Sequence, residues 1–303
     1  MDRPRRLRGE RGVEQRRGAD GGRHRLQLWP AGLATASGVR GCGVSEMERL
    51  AGRAVVTGAT SGIGKAMAQA LLEAGMEVVV AARASARLEG LVAAWRADGL
   101  SARQGPVDVR DPASVQDLAA RVESEFGAID LLVNNAGIGM RTVNPRFLSD
   151  PMPFFEVPLD GFEDVVRTNL TGYFLVARAF AGHFLRNRRG RIINVTMNVE
   201  TMQRRGFVPY GPARAGAEAL SRIMTEDLRP YGIWVNQILP GGATATGMIP
   251  DGAASARLLD PAIMGPPAVF LASGEAEGLT GQRIVAKDFD AWLSAFRSRR
   301  QGL

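Results

Sequence analysis

The sequence predicts an α/β fold, one domain built on a doubly wound parallel sheet. Three observations lead to it. From Arg53 onward, short apolar segments alternate with helical ones, which is the pattern of repeated β-α units. The apolar segments are nearly continuous, as in 77–81 (EVVVA), and strands read this way when helices cover both faces of a sheet. The first strand also runs directly into Thr57-Gly58-Ala59-Thr60-Ser61-Gly62-Ile63-Gly64, a Gly-rich turn ahead of an amphipathic helix.

Taken in order, residues 54–57 form the first strand and 63–73 the first helix, which stops at Ala74-Gly75, a glycine C-cap signal. The second strand is 77–81. The second helix, 85–97, has Ser85 as its N-cap and Gly99 beyond its end. Residues 102–107 are the third strand. Asp111-Pro112 then opens a helix with a cap and a first-turn proline, and that helix runs to about Phe126. Residues 129–133 are the fourth strand, ending in Asn134-Asn135-Ala136-Gly137. In 138–160, Pro145, Pro151, Pro153 and Pro158 exclude regular structure, while Met140, Phe147, Met152, Phe154 and Phe155 make it apolar. Such a segment covers something, either as a pocket wall or as a lid. Residues 161–187 read as one long helix and 191–196 as the fifth strand. Residues 210–228 form a helix whose first half carries Ala213, Ala215, Gly216, Ala217 and Ala219, small residues suited to close packing within the chain or between subunits. The sixth strand, 233–239, ends in Pro240-Gly241-Gly242. A helix over 261–272, a strand over 282–286 and an aromatic, basic end with Phe289, Trp292 and Phe296 complete the chain.

Composition narrows the functional classes. The chain has 303 residues, 45% hydrophobic and 23% charged, which suits one large α/β domain. It contains no apolar run of about 18 residues, so no transmembrane helix is expected. Cys42 is the single cysteine, which rules out an internal disulfide and fits a reducing, cytoplasmic location. The net charge is +7, but residues 1–46 hold ten Arg against five acidic residues, a net of +5. The basic excess is therefore an Arg- and Gly-rich arm and not a binding face, and no nucleic-acid partner is expected. The arm is expected to be disordered; of its competing readings, translation from Met47 is favoured over a generic tether and over a secretory signal, which is poor because Pro30, Gly32 and Gly38 interrupt its apolar stretch. The domain is set at 47–290, with a tail at 291–303. His24 and His183 are the only histidines, and no metal-ligand cluster stands out.

The Gly-rich turn carries the first chemical reading. Glycines let backbone N–H groups approach an anion, and a helix N-terminus favours negative charge. The spacing of Gly58, Gly62 and Gly64 is G-x-x-x-G-x-G and not the G-x-G-x-x-G dinucleotide fingerprint. In a parallel sheet of this kind, ligands bind outside the carboxyl ends of the strands. The Gly58 turn, Arg83, Asp108, Asn134, Met197 and Pro240 all fall there.

With these motifs in order, the chain resembles the short-chain dehydrogenase/reductase family over about residues 50–290. TGATSGIG (57–64) is similar to the family's TGxxxGxG turn, Asp108-Val109 to the pair at the adenine, and NNAG (134–137) to the segment bordering the cofactor. Asn169 in RTNLTGYF resembles the catalytic asparagine, and Tyr210 in YGPAR resembles the tyrosine of YxxxK. Pro240-Gly241-Gly242 with Thr244 resembles the loop at the nicotinamide. The resemblance implies a Rossmann-type fold, hydride transfer between a nicotinamide cofactor and a carbonyl or alcohol carbon, and a homodimer or homotetramer. It implies cofactor contacts from Thr57, Gly58, Ser61, Gly62, Ile63, Gly64, Asp108, Val109, Asn135, Ala136, Gly137, Tyr210, Arg214, Pro240, Gly241 and Thr244. The second strand ends in Ala81-Ala82-Arg83, where an NAD enzyme places a carboxylate. Arg83, aided by Lys65, suits a 2′-phosphate, so NADP is expected over NAD.

The sequence departs from the family pattern at two positions. Arg214 stands where the family has lysine, and Met197, thirteen residues before Tyr210, stands where it has serine. A thioether donates no hydrogen bond, so Thr196 or Asn198 is expected to serve the substrate oxygen. Arg214 keeps a positive charge near Tyr210 but does not shuttle protons. The chain has two lysines against 36 arginines, so Arg214 also fits a general compositional bias. The expected function is NADP(H)-dependent reduction or oxidation of a small or medium apolar ketone or alcohol at a degenerate site. The alternative is a catalytically impaired dinucleotide-binding protein acting as a sensor or partner subunit.

Overall fold

The parallel sheet is present, and it is wound in both directions from its first strand. The structure, a computed structural model, describes residues 49–250 and 258–302. The arm expected over 1–46 lies outside the described residues. The strands are β1 (Arg53–Thr57), β2 (Glu77–Ala82), β3 (Ala102–Pro106), β4 (Leu131–Asn134), β5 (Gly190–Val195), β6 (Ile233–Leu239) and β7 (Arg283–Val285). Their order in the sheet is β3-β2-β1-β4-β5-β6-β7 and every pairing is parallel. The chain leaves β1 towards β2 and β3, then returns to lay β4 on β1's other edge. Val55 thus sits between Val79 and Leu132. A crevice opens where the direction reverses, above the ends of β1 and β4.

Because successive strand residues point to opposite faces, the apolar strands supply two cores. Ala54, Val56, Val78, Val80, Leu131, Val133 and Ile193 pack on one side with Met67 and Leu71 of α1 (Gly62–Glu73) and Phe270 of α8 (Gly265–Ala272). Val55, Val79, Leu132, Ile192 and Val235 pack on the other with Leu118 and Val122 of α3 (Pro112–Phe126) and Phe180 and Phe184 of α5 (Gly172–Asn187). The remaining helices are α2 (Ala86–Ala97), α4 (Leu159–Val166), α6 (Val199–Met202), α7 (Tyr210–Leu228) and α9 (Phe289–Gln301). The caps read from sequence are made: Ser85 Oγ accepts from Leu88 N at 3.3 Å, and Asp111 Oδ1 from Ala113 N at 3.0 Å.

Three elements differ from expectation. The long helix over 161–187 is α4 and α5 joined by a π-helical stretch, Arg167–Thr171. Periodicity does not register one widened turn. The stretch surrounds Asn169, whose side chain is held outside the helix, as is common for π-turns near sites. The helix over 261–272 is a 3₁₀ turn, Pro261–Met264, followed by α8. The end of the chain is helix α9, which crosses the expected boundary at 290. Its Phe289, Trp292 and Phe296 share one face and surround Phe270, with ring centroids 5.7, 5.6 and 5.4 Å away. Of the small residues of α7, Ala213 and Ala217 are buried within the chain and a Cβ on Gly216 would meet Leu170 at 3.0 Å, whereas Ala215 and Ala219 are exposed.

Candidate active site

The turn after β1 forms one end of a cleft of about 1350 Å³ that runs across the carboxyl edge of the sheet. Gly58 and Gly62 have φ of +67° and +52°, which favours glycine at both. A Cβ on Gly58 would also lie 2.8 Å from Ala136 Cα. Ser61, the N-cap of α1, makes no side-chain cap bond, so the first N–H groups of the helix stay available to an anion.

Arg83, Ser85 and Arg87 line the cleft at the end of β2, and Asp108, Val109 and Arg110 line it after β3. Asp108 Oδ2 pairs with Arg110 Nη2 at 2.8 Å. This bond holds the Asp108 carboxyl below its ordinary range, and the charge of Arg83 lowers it further. Asn135 donates through Nδ2 to Thr57 O at 2.9 Å, which fixes the β4 turn against the β1 turn.

At the other end, Tyr210 opens α7 and is half-buried. It packs with Met197 against Met140, Phe147 and Phe207, an apolar cluster in which the two phenylalanines meet edge-on at 5.6 Å. The segment expected to be a wall or lid therefore supplies part of the wall. Arg214, one helical turn after Tyr210, is 3% exposed and yet lines the cleft. Its Nη1 donates to Tyr173 Oη at 2.5 Å and to Val195 O at 3.0 Å. Its Cζ lies 5.4 Å from the Tyr210 ring centroid and 5.3 Å from that of Tyr173. Burial works against the charge, but the phenol oxygens of Tyr173 and Tyr210 outweigh it, and Arg214 titrates above the ordinary guanidinium value. Burial pushes the Tyr173 phenol up, more than Arg214 draws it down. At neutral pH the pair is a cation beside a neutral hydroxyl.

Of the residues picked out from sequence, the cleft wall contains Gly58, Ser61, Gly62, Ile63, Gly64, Arg83, Asp108, Val109, Asn135, Ala136, Gly137, Thr196, Asn198, Tyr210, Arg214, Pro240, Gly241 and Thr244. Four of the residues picked out are placed or engaged differently from the rest. Thr57, 1% exposed, stands behind the wall, with its hydroxyl donating to Val133 O at 3.1 Å and accepting from Asn135 N and Ala136 N. Asn169 has no exposure and also stands behind the wall. Its Oδ1 accepts from Ile138 N and its Nδ2 donates to Ile138 O, both at 2.8 Å. Thr196 Oγ1 donates to the buried Glu218 carboxylate at 2.7 Å, so this hydroxyl is not available to a ligand as a donor. Lys65 is exposed and lies outside the wall, whereas Arg87 and Arg110 lie in it. Sequence reading missed these two, along with Arg141 and Arg204, which also line the cleft. Arg204 lies over the Phe207 ring at 5.3 Å, so the cleft around Phe207 is not purely apolar. Among the described residues no helix is long and apolar enough to span a membrane, and no group of three or more His, Cys, Asp or Glu is placed to hold a metal.

Residues 53–254 match the family described as short chain dehydrogenase. A 3-oxoacyl-(acyl-carrier-protein) reductase of Vibrio cholerae is 32% identical over 245 residues, covering 76% of this chain and 93% of that protein. A gluconate 5-dehydrogenase of Gluconobacter oxydans is 33% identical over 189 residues, 62% of this chain and 70% of that protein. Among solved structures, a gluconate 5-dehydrogenase from Burkholderia cenocepacia in complex with NADP and tartrate superposes with a TM-score of 0.69. It is 30% identical and covers 79% of this chain and 95% of its own.

Proposed function

Since this chain belongs to the short-chain dehydrogenase family and is an oxidoreductase, we propose that it transfers a hydride between NADP(H) and a carbonyl or alcohol carbon of a small or medium substrate with an apolar body. The observation that carries this reading is the gathering of the glycine turn, Arg83, Tyr210 and Arg214 in one cleft. The residues present fit a dinucleotide: the N-terminus of α1 is uncapped and the floor at Gly58 has no room for a Cβ. Arg83, with Arg87 beside it in the wall, would hold the 2′-phosphate, a charge that no carboxylate at the end of β2 would repel.

NADPH, when bound, supplies the hydride. The chain's residues handle the proton and the orientation. Tyr210 gives its hydroxyl proton to the substrate oxygen as the new C–H bond forms, and takes a proton back in the oxidative direction. Arg214 supports the negative charge left on Tyr210. Asn198, half-buried in the wall, is the donor to the substrate oxygen now that Thr196 is committed to Glu218. Met140, Phe147, Met197 and Phe207 receive the apolar body. The reading includes a cytoplasmic homo-oligomer joined through α5 and α7, where Phe174 and Ile223 are exposed.

A second reading has its own observation. The thioether of Met197 and the engaged hydroxyl of Thr196 leave the substrate oxygen one side-chain amide where a hydroxyl is expected. On that reading the protein holds NADPH with little turnover and works as a sensor or partner subunit.

Fluorescence titration with NADPH, followed by NADPH oxidation against ketones, 3-oxoacyl thioesters and keto sugar acids, separates the two. Binding with turnover supports the oxidoreductase, and binding alone supports the sensor. Failure to bind NADPH removes both.

A further inference from the structure

Arg214 is a buried cation that pairs with no carboxylate among the described residues. The nearest acid on its own helix, Glu218, is engaged by Thr196 and by Arg283 Nε at 2.9 Å. The hydrogen bonds of Arg214 go instead to Tyr173 Oη and to Val195 O. Tyr173 Oη donates its own proton to the same Val195 carbonyl at 3.0 Å. The three groups therefore close a ring, and the direction of each bond is fixed. With its proton on Val195, the phenol can only accept from Arg214. The ring joins the first turn of α5, the end of β5 and the first turns of α7. Gly137 leaves the space, since a Cβ there would lie 2.5 Å from Arg214 Nη2. Among the described residues Nε of Arg214 is buried without a partner, so the tie at Nη1 is the anchor of this long side chain.

We infer that Tyr173 is a positioning residue for the proposed reaction: its hydroxyl fixes the Arg214 guanidinium beside Tyr210 as a stationary cation. The inference rests on the oxidoreductase reading. An arginine has enough freedom to swing away from a charge that develops and disappears within a turnover, and electrostatic support is strongest when the donor need not reorganise. A tyrosine whose hydroxyl both donates and accepts removes that freedom, and its ring centroid lies 5.3 Å from Cζ, against 5.4 Å for that of Tyr210.

The test is a double-mutant cycle of Tyr173→Phe and Arg214→Lys, with kcat and KM measured for all four proteins and thermal melting used to verify folding. Tyr173→Phe keeps the ring and its packing and removes one oxygen. In the native background it is expected to lower kcat about tenfold, with KM for the carbonyl substrate within about twofold. In the Arg214→Lys background it is expected to change kcat by less than about twofold, because the guanidinium that the hydroxyl holds is gone. An equal loss in both backgrounds means a structural role only and overturns the proposal. So does an unchanged kcat in native protein that turns over. Failure of the native protein to bind NADPH is a separate result that overturns the functional reading itself.

Discussion

The Thr196 hydroxyl donates to the buried Glu218 carboxylate at 2.7 Å, across 22 residues of sequence. The same carboxylate accepts from Arg283 Nε at 2.9 Å, and Arg283 Nη2 donates to the Met197 carbonyl at 2.7 Å. A hydroxyl, an acid and a guanidinium thus clamp the end of β5 to α7 and β7. The clamp sets which groups the following residues offer to the cleft. The hydroxyl is turned to the acid, while Met197 and Asn198 stand in the wall.

Glu218→Gln is therefore expected to cost stability before it costs chemistry. The amide still accepts from Thr196 but no longer balances Arg283, whose side chain is 30% exposed and so partly relieved by water. We expect a loss of about 2 kcal/mol by denaturant unfolding, below the range for a wholly buried broken pair. Stability unchanged within error would show that the clamp carries no net energy.

Met197→Ser is expected to raise the rate of carbonyl reduction. It places a hydroxyl in the wall that Tyr210 also lines, and one well-aimed donor to a developing oxyanion changes kcat by about a hundredfold. It also removes a half-buried thioether from the cluster of Met140, Phe147 and Phe207, at a cost of about 1 kcal/mol. Steady-state rates and melting together distinguish the effects. A kcat that stays level or falls, in a protein still folded, would mean that Asn198 already serves the oxygen or that the site does not turn over.

Much of this was readable from the sequence because the physics is local. The turn at Gly58 and Gly62 needs positive φ, and the caps at Ser85 and Asp111 lie within a few residues of the groups they satisfy. Helix α9 was readable in principle: Phe289, Trp292 and Phe296 fall at i, i+3 and i+7, but the polar and basic residues between them mask the stripe. What was not readable depends on distant partners. Thr196 is a good candidate donor until Glu218 is known to lie beside it, and strand periodicity does not name the residue opposite. Thr57 and Asn169 were chosen for the right region, but their hydrogen bonds turn inward and steady the wall from behind. The coupling of Tyr173 to Arg214 spans 41 residues and two helices, and no spacing rule reports it.

Gly137→Ala tests how tightly the Arg214 end of the cleft is packed. The added methyl would meet Arg214 Nη2 at 2.5 Å and Asn169 Oδ1 at 3.0 Å, and both groups are held by hydrogen bonds of their own. Relief requires moving the guanidinium or breaking the Asn169–Ile138 pair. We expect a loss of about 2 kcal/mol in stability, typical of overpacking, together with a fall in kcat of more than about tenfold. Native-like melting with full activity would show that Arg214 has more room than its burial implies.

On the proposed reading Arg83 carries the choice of cofactor, and the expectation follows from where the charges sit. Arg83 is exposed in the cleft wall, close enough to Asp108 to lower its carboxyl further, while Arg110 already satisfies that acid. Asp108 is thus engaged by a different arginine, and Arg83 remains the charge at the end of β2. Arg83→Ala is expected to raise the Kd for NADPH about tenfold and that for NADH by less than about twofold, because the two differ by one phosphate and the lost contact is charge-assisted. Since the guanidinium is exposed, the NADPH penalty should shrink as salt rises from 0.05 to about 0.5 M. Lys65→Ala, outside the wall, should leave both constants within about twofold at any salt concentration. Equal losses for NADH and NADPH in Arg83→Ala would show that Arg83 supports the shape of the cleft and does not read the phosphate.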